Sequence, residues 1–362
     1  MKQLYLDANA HIPINNSALN AYIDFQTSSA GAGNPSAPSK IGKEAAVILE
    51  TARAKIAELI GAKQPSQIVF TTSATHACEW GLNLLNYSNF THISQIEHPA
   101  VSRAFDDKTD KFALIPVSGD GIIFPIKYPK ENIICIYAQS EIGTIQPIKD
   151  LEFKCLFSDM TQALGKIPLN VSELNVDIAT FSAHKFGGPN GVGFMYLKDT
   201  NMWKEFGTGS RYFMDCVGTP NVAGIVATAA ALEDAIKTLP LRTENMLEFQ
   251  SVLEKGLEDL EFEIIGKSVN RLANTTFAKV PCSQMANCGL ALLSELNNKN
   301  IFIGLGSACG SLYTTGSPLM KALNRPYENK DYIRISQWGN YDKYEAEYLL
   351  DKIEKSRRLF NG

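Results

Sequence analysis

The 362-residue chain contains no apolar stretch long enough to cross a membrane as a helix, so a helical membrane protein is not expected. It contains no run of basic residues, and its net charge is only -4. Neither nucleic acid nor a membrane surface is therefore expected as a partner. The opening, MKQLYLDANAHIP, lacks the apolar core of a signal peptide and passes directly into a strand-like YLDA, which predicts a cytoplasmic protein. Low-complexity linkers and internal repeats are absent as well. Cysteine is sparse and unpatterned. The seven are Cys78, Cys135, Cys155, Cys216, Cys282, Cys288 and Cys309, an odd number with no C-x-x-C pair. A disulfide framework and a zinc site are both unexpected, no metal is predicted, and most of the thiols read as small core residues in a reducing compartment. Cys309 differs. In GLGSACGS it stands among small, flexible residues where a thiol can be exposed, which makes it a candidate nucleophile.

The chain is 45% hydrophobic and 20% charged, an ordinary composition for one large or two medium globular domains. Helical spacing runs through AAVILETARAKIAELIGA (residues 45–62), with Gly61 as the stop signal. QIVF (67–70) reads as a strand and ACEWGLNLLN (77–86) as a helix. THISQ, ALIPV, NIICIYA, CLFSD, DIATF and VGFMYL follow as strand candidates. Such repeated strand–crossover units predict an α/β fold, a mostly parallel sheet covered by helices. From about Thr243 the texture changes to long amphipathic helices with charged faces, such as ENMLEFQSVLEKGLEDL, and DKYEAEYLLDKIEKSRRL closes the chain. A large domain is predicted over residues 12–240. Residues 1–11 and 241–362 are assigned to a smaller α/β domain carrying the Cys309 loop.

One short stretch, FSAHKFGGPNG, holds a lysine where few are useful as surface charges. Lysine is ordinarily a solvated side chain. Lys185, however, stands between two apolar strand candidates, DIATF and GVGFMYL, on a loop with Ser182 and His184. Loops at strand ends of an α/β sheet are where such folds do chemistry. A desolvated lysine there can lose its proton and attack a carbonyl.

Three further stretches bear on which carbonyl. VFTTSATHACEW is a strand, a hydroxyl-rich loop and a helix, and the loop offers free N–H groups at a helix N-terminus, an anion site. Its plainer role is helix capping by Ser73 or Thr75. CLFSDMTQALG puts Asp159 at a strand end with Gln162 three residues on; the carboxylate is either a cap or a partner for a protonated heterocyclic nitrogen. QIEHPAV puts His98 just past another strand, where a structural histidine is the common case. Together these parts meet the needs of pyridoxal phosphate: a lysine for its Schiff base, an acid beside its ring nitrogen, an aromatic ring over its face and a phosphate cup.

The order of these motifs resembles the cysteine desulfurases of the class V aminotransferase family. The resemblance covers nearly the whole chain. YLDANAHIP is similar to the family's YLDxxATTP, GNPSAPSKIG to GNPSSxHxxG, VFTTSAT to VFTSGAT, and IEHPAV to TEHxAV. EIGTIQPI matches the stretch after the family's Asn-Asn pair, SDMTQALGKIPL resembles HVDAxQxxGKxPL, SAHKFGGPNGVG resembles SxHKxxGPxGxG, and IRIS resembles IRFS. GSACGS matches the GSAC motif of the subclass serving iron–sulfur cluster assembly and nitrogen fixation. The resemblance implies a fold type I enzyme that converts L-cysteine to L-alanine and leaves the sulfur on Cys309 as a persulfide for an acceptor protein. It implies that Lys185 holds the cofactor, Asp159 faces the ring nitrogen, His98 stacks on the ring and moves protons, and Gln162 lies near the ring oxygen. Ala74, Thr75, Ser182 and His184 would bind phosphate, with Thr219 of GTPN reaching across from the second subunit of a homodimer. Arg334 would pair with the substrate carboxylate, and Ser140 would lie beside substrate and cofactor.

The sequence departs from the pattern at several points. Ser140, preceded by Gln139, replaces the family's second asparagine; Ser39 replaces the histidine of GNPSSxH; Gly-Ala-Thr-Glu reads Ser-Ala-Thr-His, ending at His76. The segment between Glu141 and Asp159 is short, as though one crossover helix were trimmed. These changes leave room for a different class V activity, selenocysteine lysis or transamination, or for a weakly catalytic scaffold that binds cofactor. The joint presence of Lys185, Asp159, His98, Arg334 and Cys309 favours the desulfurase.

Overall fold

The apolar runs and amphipathic stretches become twelve strands and eight α-helices among the described residues of the computed structural model: 3–85, 89–103, 111–202, 219–282, 287–306, 318–325 and 329–357. The strands are β1 (Leu4–Leu6), β2 (Ile68–Thr71), β3 (Thr91–Ser94), β4 (Phe112–Ile115), β5 (Lys127–Ile134), β6 (Glu152–Asp159), β7 (Ile178–Ser182), β8 (Gly193–Leu197), β9 (Glu263–Ile264), β10 (Thr275–Lys279), β11 (Ile301–Ile303) and β12 (Tyr332–Ser336). The helices are α1 (Asn16–Thr27), α2 (Lys40–Leu59), α3 (Ala74–Leu84), α4 (Pro99–Ser102), α5 (Val222–Asp259), α6 (Cys288–Asn297), α7 (Pro318–Ala322) and α8 (Lys343–Arg357).

A seven-stranded sheet in the order β2-β8-β7-β6-β5-β3-β4 forms the centre of the molecule. Every residue of β2, β3, β7 and β8 is buried, as strands of a sheet covered on both faces are, even though β3 holds Thr91, His92 and Ser94. The pairings β3–β4, β3–β5, β5–β6 and β6–β7 are parallel. β8 is the exception to the predicted crossover pattern: it runs antiparallel to both β2 and β7, with Ser182 opposite Gly193. The reason is chain length. The segment from 183 to 192 is too short to carry a crossover helix, and Gly187 and Gly191, at φ 86° and 78°, turn it back instead. β2 and β7 therefore run the same way, and the C-terminal ends of β2, β3, β6 and β7 all open on one edge.

Helix α2 shows how the covering layer is built. Ala45, Leu49, Ala52 and Ile56 are buried at helical spacing, each large aliphatic contributing about 1.5–3 kcal/mol. Ser39 caps its first turn by accepting the Gly42 N–H at 3.2 Å, and Gly61 ends it with φ 74° as predicted. The residue that departs from the family's histidine thus serves as a helix cap.

The second half of the chain makes a smaller arrangement: β12-β10-β9 antiparallel, and β1 parallel to β11, which brings the N-terminal strand to the C-terminal elements. Its core contains Leu4, Leu6, Leu253, Leu257, Ile301 and Ile333. The single 38-residue helix α5 serves both cores, with Leu232 and Ala235 in the first and Phe249, Leu253 and Leu257 in the second. Pro240 lies inside it. Proline removes the N–H that would pair with Ile236 O; in the same turn Arg242 Nη2 donates to Ala235 O at 2.5 Å. On β10, Thr276 and the adjoining Arg271 meet the buried carboxylate of Glu254, Arg271 in a bidentate pair at 2.9 Å for each oxygen. Ile96, Ile136 and Ile142 pack with Phe277, Met320 and Tyr332, joining the two cores.

The cysteines follow the expectation in part. Cys78 and Cys135 are buried free thiols and Cys155 is half-buried. Cys282 and Cys288 correct it, for they are joined as a disulfide across six positions at the start of α6. Neither spacing nor composition marks such an isolated pair; the close approach comes from the fold. Among the described residues no helix is long and apolar enough to cross a membrane.

Candidate active site

At the end of β7 the chain leaves Ser182 and makes one 3-10 turn, Ala183–Lys185. Gly188 permits that turn to close, since a Cβ on it would lie 2.8 Å from the Ala183 side chain. Lys185 is thereby aimed back toward the N-terminal segment, its Nζ donating to Asn9 O at 2.6 Å and Ala10 O at 2.7 Å. His184 meets Ser182 Oγ through Nδ1 at 3.1 Å, and its pKa is pulled down to about 4 by burial first and then by the neighbouring Lys185.

Asp159 ends β6 one strand over, opposite Thr180 of β7. It is 5% exposed, and its Oδ1 accepts from the Thr161 N–H at 2.9 Å. His98 caps α4: its Nδ1 accepts the Ala100 N–H at 3.1 Å, which leaves the ring proton on Nε2. Burial, aided by Lys185 and Arg103 and opposed by Asp159, holds its pKa below the usual histidine value, so the ring is neutral. Beyond β2, Ser73 caps α3 by accepting the His76 N–H at 3.1 Å. The N–H groups of the first helical residues, Ala74 and Thr75, have no partner within the helix and stand at its positive end. Ser73 is thus a cap, the plainer of its two predicted roles, and the turn it caps lines the cavity through Ala74 and Thr75.

Arg334 enters from β12 and is 1% exposed. Nη2 donates to Asp7 Oδ1 at 2.6 Å and Nη1 to Ser140 O at 3.4 Å, while the buried Nε has no hydrogen-bond partner among the described residues. A guanidinium with a buried donor left over is fitted to take up a further acceptor.

These groups share one cavity of about 210 Å³, lined by Lys185, Asp159, Gln162, His98, Ala74, Thr75, Ser182, His184, Ser140 and Arg334. Ten predicted residues therefore converge. Thr219 does not: it is exposed just before α5 and lies away from the cavity wall. Cys309 lies outside the described residues. The cavity does include a thiol, Cys78, but burial and then Asp159 push its pKa well above 9.0, so it is no thiolate. An amine, a buried acid, a neutral imidazole and a helix N-terminus whose first N–H groups have no partner within the helix form a set of groups that fits pyridoxal phosphate.

Three contributors were missed by motif reading. Asn9 lines the cavity and accepts from Lys185. Lys166 is buried against Gln162. Glu97, the residue before His98, is buried, its Oε1 accepting the Ile136 N–H at 2.5 Å and the Ser94 hydroxyl, and burial pushes its pKa up to about 8. Glu97 had a signal: an acid next to Ile96 at the end of an apolar strand is out of place unless buried for a purpose.

Comparison with known proteins agrees with this geometry. Residues 4–349 match the aminotransferase class-V family. The cysteine desulfurase IscS of Dictyoglomus turgidum is 32% identical over 383 aligned positions, covering 98% of this chain and 94% of that protein. The IscS of Methanosarcina thermophila is 31% identical, covering 90% of this chain and 85% of its own length. Among solved structures, a NifS-like protein superposes with a TM-score of 0.85 at 29% identity, over 99% of this chain and all of that one. With the lysine, acid, histidine and helix N-terminus in their places around one cavity, the chain belongs to the aminotransferase class-V family.

Proposed function

We propose that the protein is a pyridoxal-phosphate-dependent cysteine desulfurase that converts L-cysteine to L-alanine and retains the sulfur on Cys309 for delivery to an acceptor protein. The observation that carries this reading is the convergence of Lys185, Asp159, His98, the α3 N-terminus and Arg334 on one cavity, in a chain similar over nearly its full length to cysteine desulfurases. When bound, pyridoxal phosphate supplies an electron sink for the bonds broken at Cα and Cβ of the amino acid.

Lys185 is the residue to anchor the cofactor, since its amine is already held at the cavity on two carbonyl oxygens. Asp159, buried in the cavity lining, would face the ring nitrogen and favour its protonated form, and Gln162 would offer an amide donor to the ring oxygen. Ala74 and Thr75 of α3, with Ser182 and His184, receive the phosphate; Thr219 serves the cavity of a partner subunit in a homodimer. His98 carries a proton on Nε2 and, being neutral, can give or take one at working pH. Arg334 and Ser140 receive the carboxylate end of the substrate. Cys309 attacks the substrate sulfur as a thiolate: its S–S bond forms as the carbon–sulfur bond breaks, and the carbon skeleton takes up protons to leave as alanine. The division into a unit of residues 12–240 and one of 1–11 with 241–362, and a cytoplasmic location, complete this reading; the segregated apolar cores support the first.

The test is Cys309→Ala. The variant is expected to keep the yellow cofactor band, which Lys185→Ala loses, while single-turnover alanine release from L-cysteine falls at least about a hundredfold. Wild-type protein exposed to L-cysteine should gain one sulfur atom on Cys309 by mass spectrometry. Alanine release by Cys309→Ala at the wild-type rate points instead to a lyase or transaminase in which this thiol is dispensable.

A further inference from the structure

Lys166 is 2% exposed, a depth that lysine seldom reaches without an ion pair. Among the described residues the charged groups acting on it are Lys185, Arg334 and Arg242, all cations, and burial followed by these three holds its pKa well below 10.5. Its Nζ donates to two amide oxygens, Asn9 Oδ1 at 2.8 Å and Gln162 Oε1. So costly a placement calls for a task.

The task is legible in the amide that Lys166 holds. An amide side chain can present either its oxygen or its nitrogen to a cavity, and only its partners decide which. In Gln162 both ends are specified: Oε1 accepts from Lys166, and Nε2 donates to Asn9 O at 2.9 Å. The nitrogen retains a second N–H, and Gln162 lines the cavity. Asn9 is itself immobilised. Its Oδ1 also accepts from Asn274 at 3.0 Å, and its Nδ2 donates to Thr275 Oγ1 at 2.8 Å and Ser140 O at 3.2 Å. The same Asn9 backbone oxygen takes Lys185 Nζ. Lys166, Asn9, Gln162 and Lys185 therefore form one connected network.

We propose that Lys166 is a positioning residue that locks the Gln162 amide with its nitrogen toward the cavity, so that the cofactor's phenolic oxygen meets a donor and never the amide oxygen. This rests on the reading of the cavity as a pyridoxal phosphate site. A donor at that oxygen favours its anionic form and so weakens proton binding at the nitrogen that joins Lys185 to the cofactor.

The experiment follows the absorbance of the cofactor-loaded protein against pH. Lys166→Met removes the donors but keeps an unbranched side chain, and the midpoint of the visible-band titration is expected to rise by about one pH unit, a tenfold tighter hold on the proton. Gln162→Met should raise it similarly, and the double variant should go no further than Gln162→Met alone, because the lysine acts through the amide. A folded Lys166→Met with the wild-type midpoint overturns the proposal, and so do shifts that add in the double variant. Should Lys166→Met not fold, Lys166→Gln drops the charge and keeps a donor: a midpoint within about 0.3 units of wild type supports the lock, and one as high as that of Gln162→Met overturns it. Failure of the cofactor reading looks different, since the visible band would then fail to form or would survive Lys185→Ala.

Discussion

Glu97, next to His98 in the chain, is buried, with two donors on one carboxyl oxygen and no partner among the described residues for the other. Burial is the larger effect on it, Ser94 and Ile136 oppose, and Asp159 adds to the rise, leaving the pKa at about 8 against 4.5 when free. The folded protein thus holds a proton that the unfolded chain releases between about pH 4.5 and pH 8. Stability from this group is complete below that window and falls as pH rises through it. Glu97→Gln removes the titration and retains an oxygen for both donors. The variant is expected to match wild type at about pH 4 and to be more stable at pH 8 by on the order of 2 kcal/mol, less than the full shift because burial is never perfectly dry. Thermal melts of the cofactor-free proteins across this range check it; parallel curves would remove Glu97 from the account. At this scale motifs reveal a residue's type but seldom its depth. His98 was visible in IEHPAV, whereas its neutral state depends on burial and on an N–H of α4 that no local pattern announces.

At the scale of elements, the phosphate end of the site depends on how closely β8 approaches the loop that starts α3. Gly193, first residue of β8, leaves no room for a side chain: a Cβ there would stand 2.3 Å from the Ser73 carbonyl carbon and 2.7 Å from Ala74 N. Gly193→Ala must push the first turn of α3 outward, because both contacts are backbone. A destabilisation of about 1–3 kcal/mol and a weakening of pyridoxal phosphate binding are expected, measured by melting and by fluorescence titration of the cofactor-free protein. Unchanged cofactor affinity would show that the α3 N-terminus is not the phosphate site. Strand and helix positions are largely legible in the sequence, although α2 begins at Lys40 rather than 45, because the Ser39 cap adds a turn before the apolar spacing starts. The direction of β8 was not, since an apolar run has the same appearance in a parallel and an antiparallel strand.

For the whole molecule, Thr219 separates a single-chain site from a shared one. It is exposed and apart from its own cavity, as a residue that serves a neighbour must be. The proposed homodimer predicts a particle of about twice the 39.7 kDa chain mass in sedimentation, independent of cofactor. Thr219→Ala should preserve that mass and weaken cofactor retention roughly tenfold, the cost of one hydrogen bond to a charged group. A fully loaded, fully active monomer would end the idea of composite sites.

The sequence by itself determined the class of fold and the chemistry on offer. Periodicity is local, so apolar runs report strands and helices directly, and the motifs around Lys185, Asp159, His98 and Arg334 carry their residue types in plain view. Tertiary structure alone decided which of these groups meet and in what state. Asn9, Ser140, the Gln162–Lys166 segment, Lys185 and Thr275 come from separate stretches of chain and join through hydrogen bonds that span up to 266 positions. Burial, too, belongs to the assembled sheet: it holds Lys166 and His98 below their usual pKa values and raises Glu97, because the cost of a charge depends on the water excluded by distant segments.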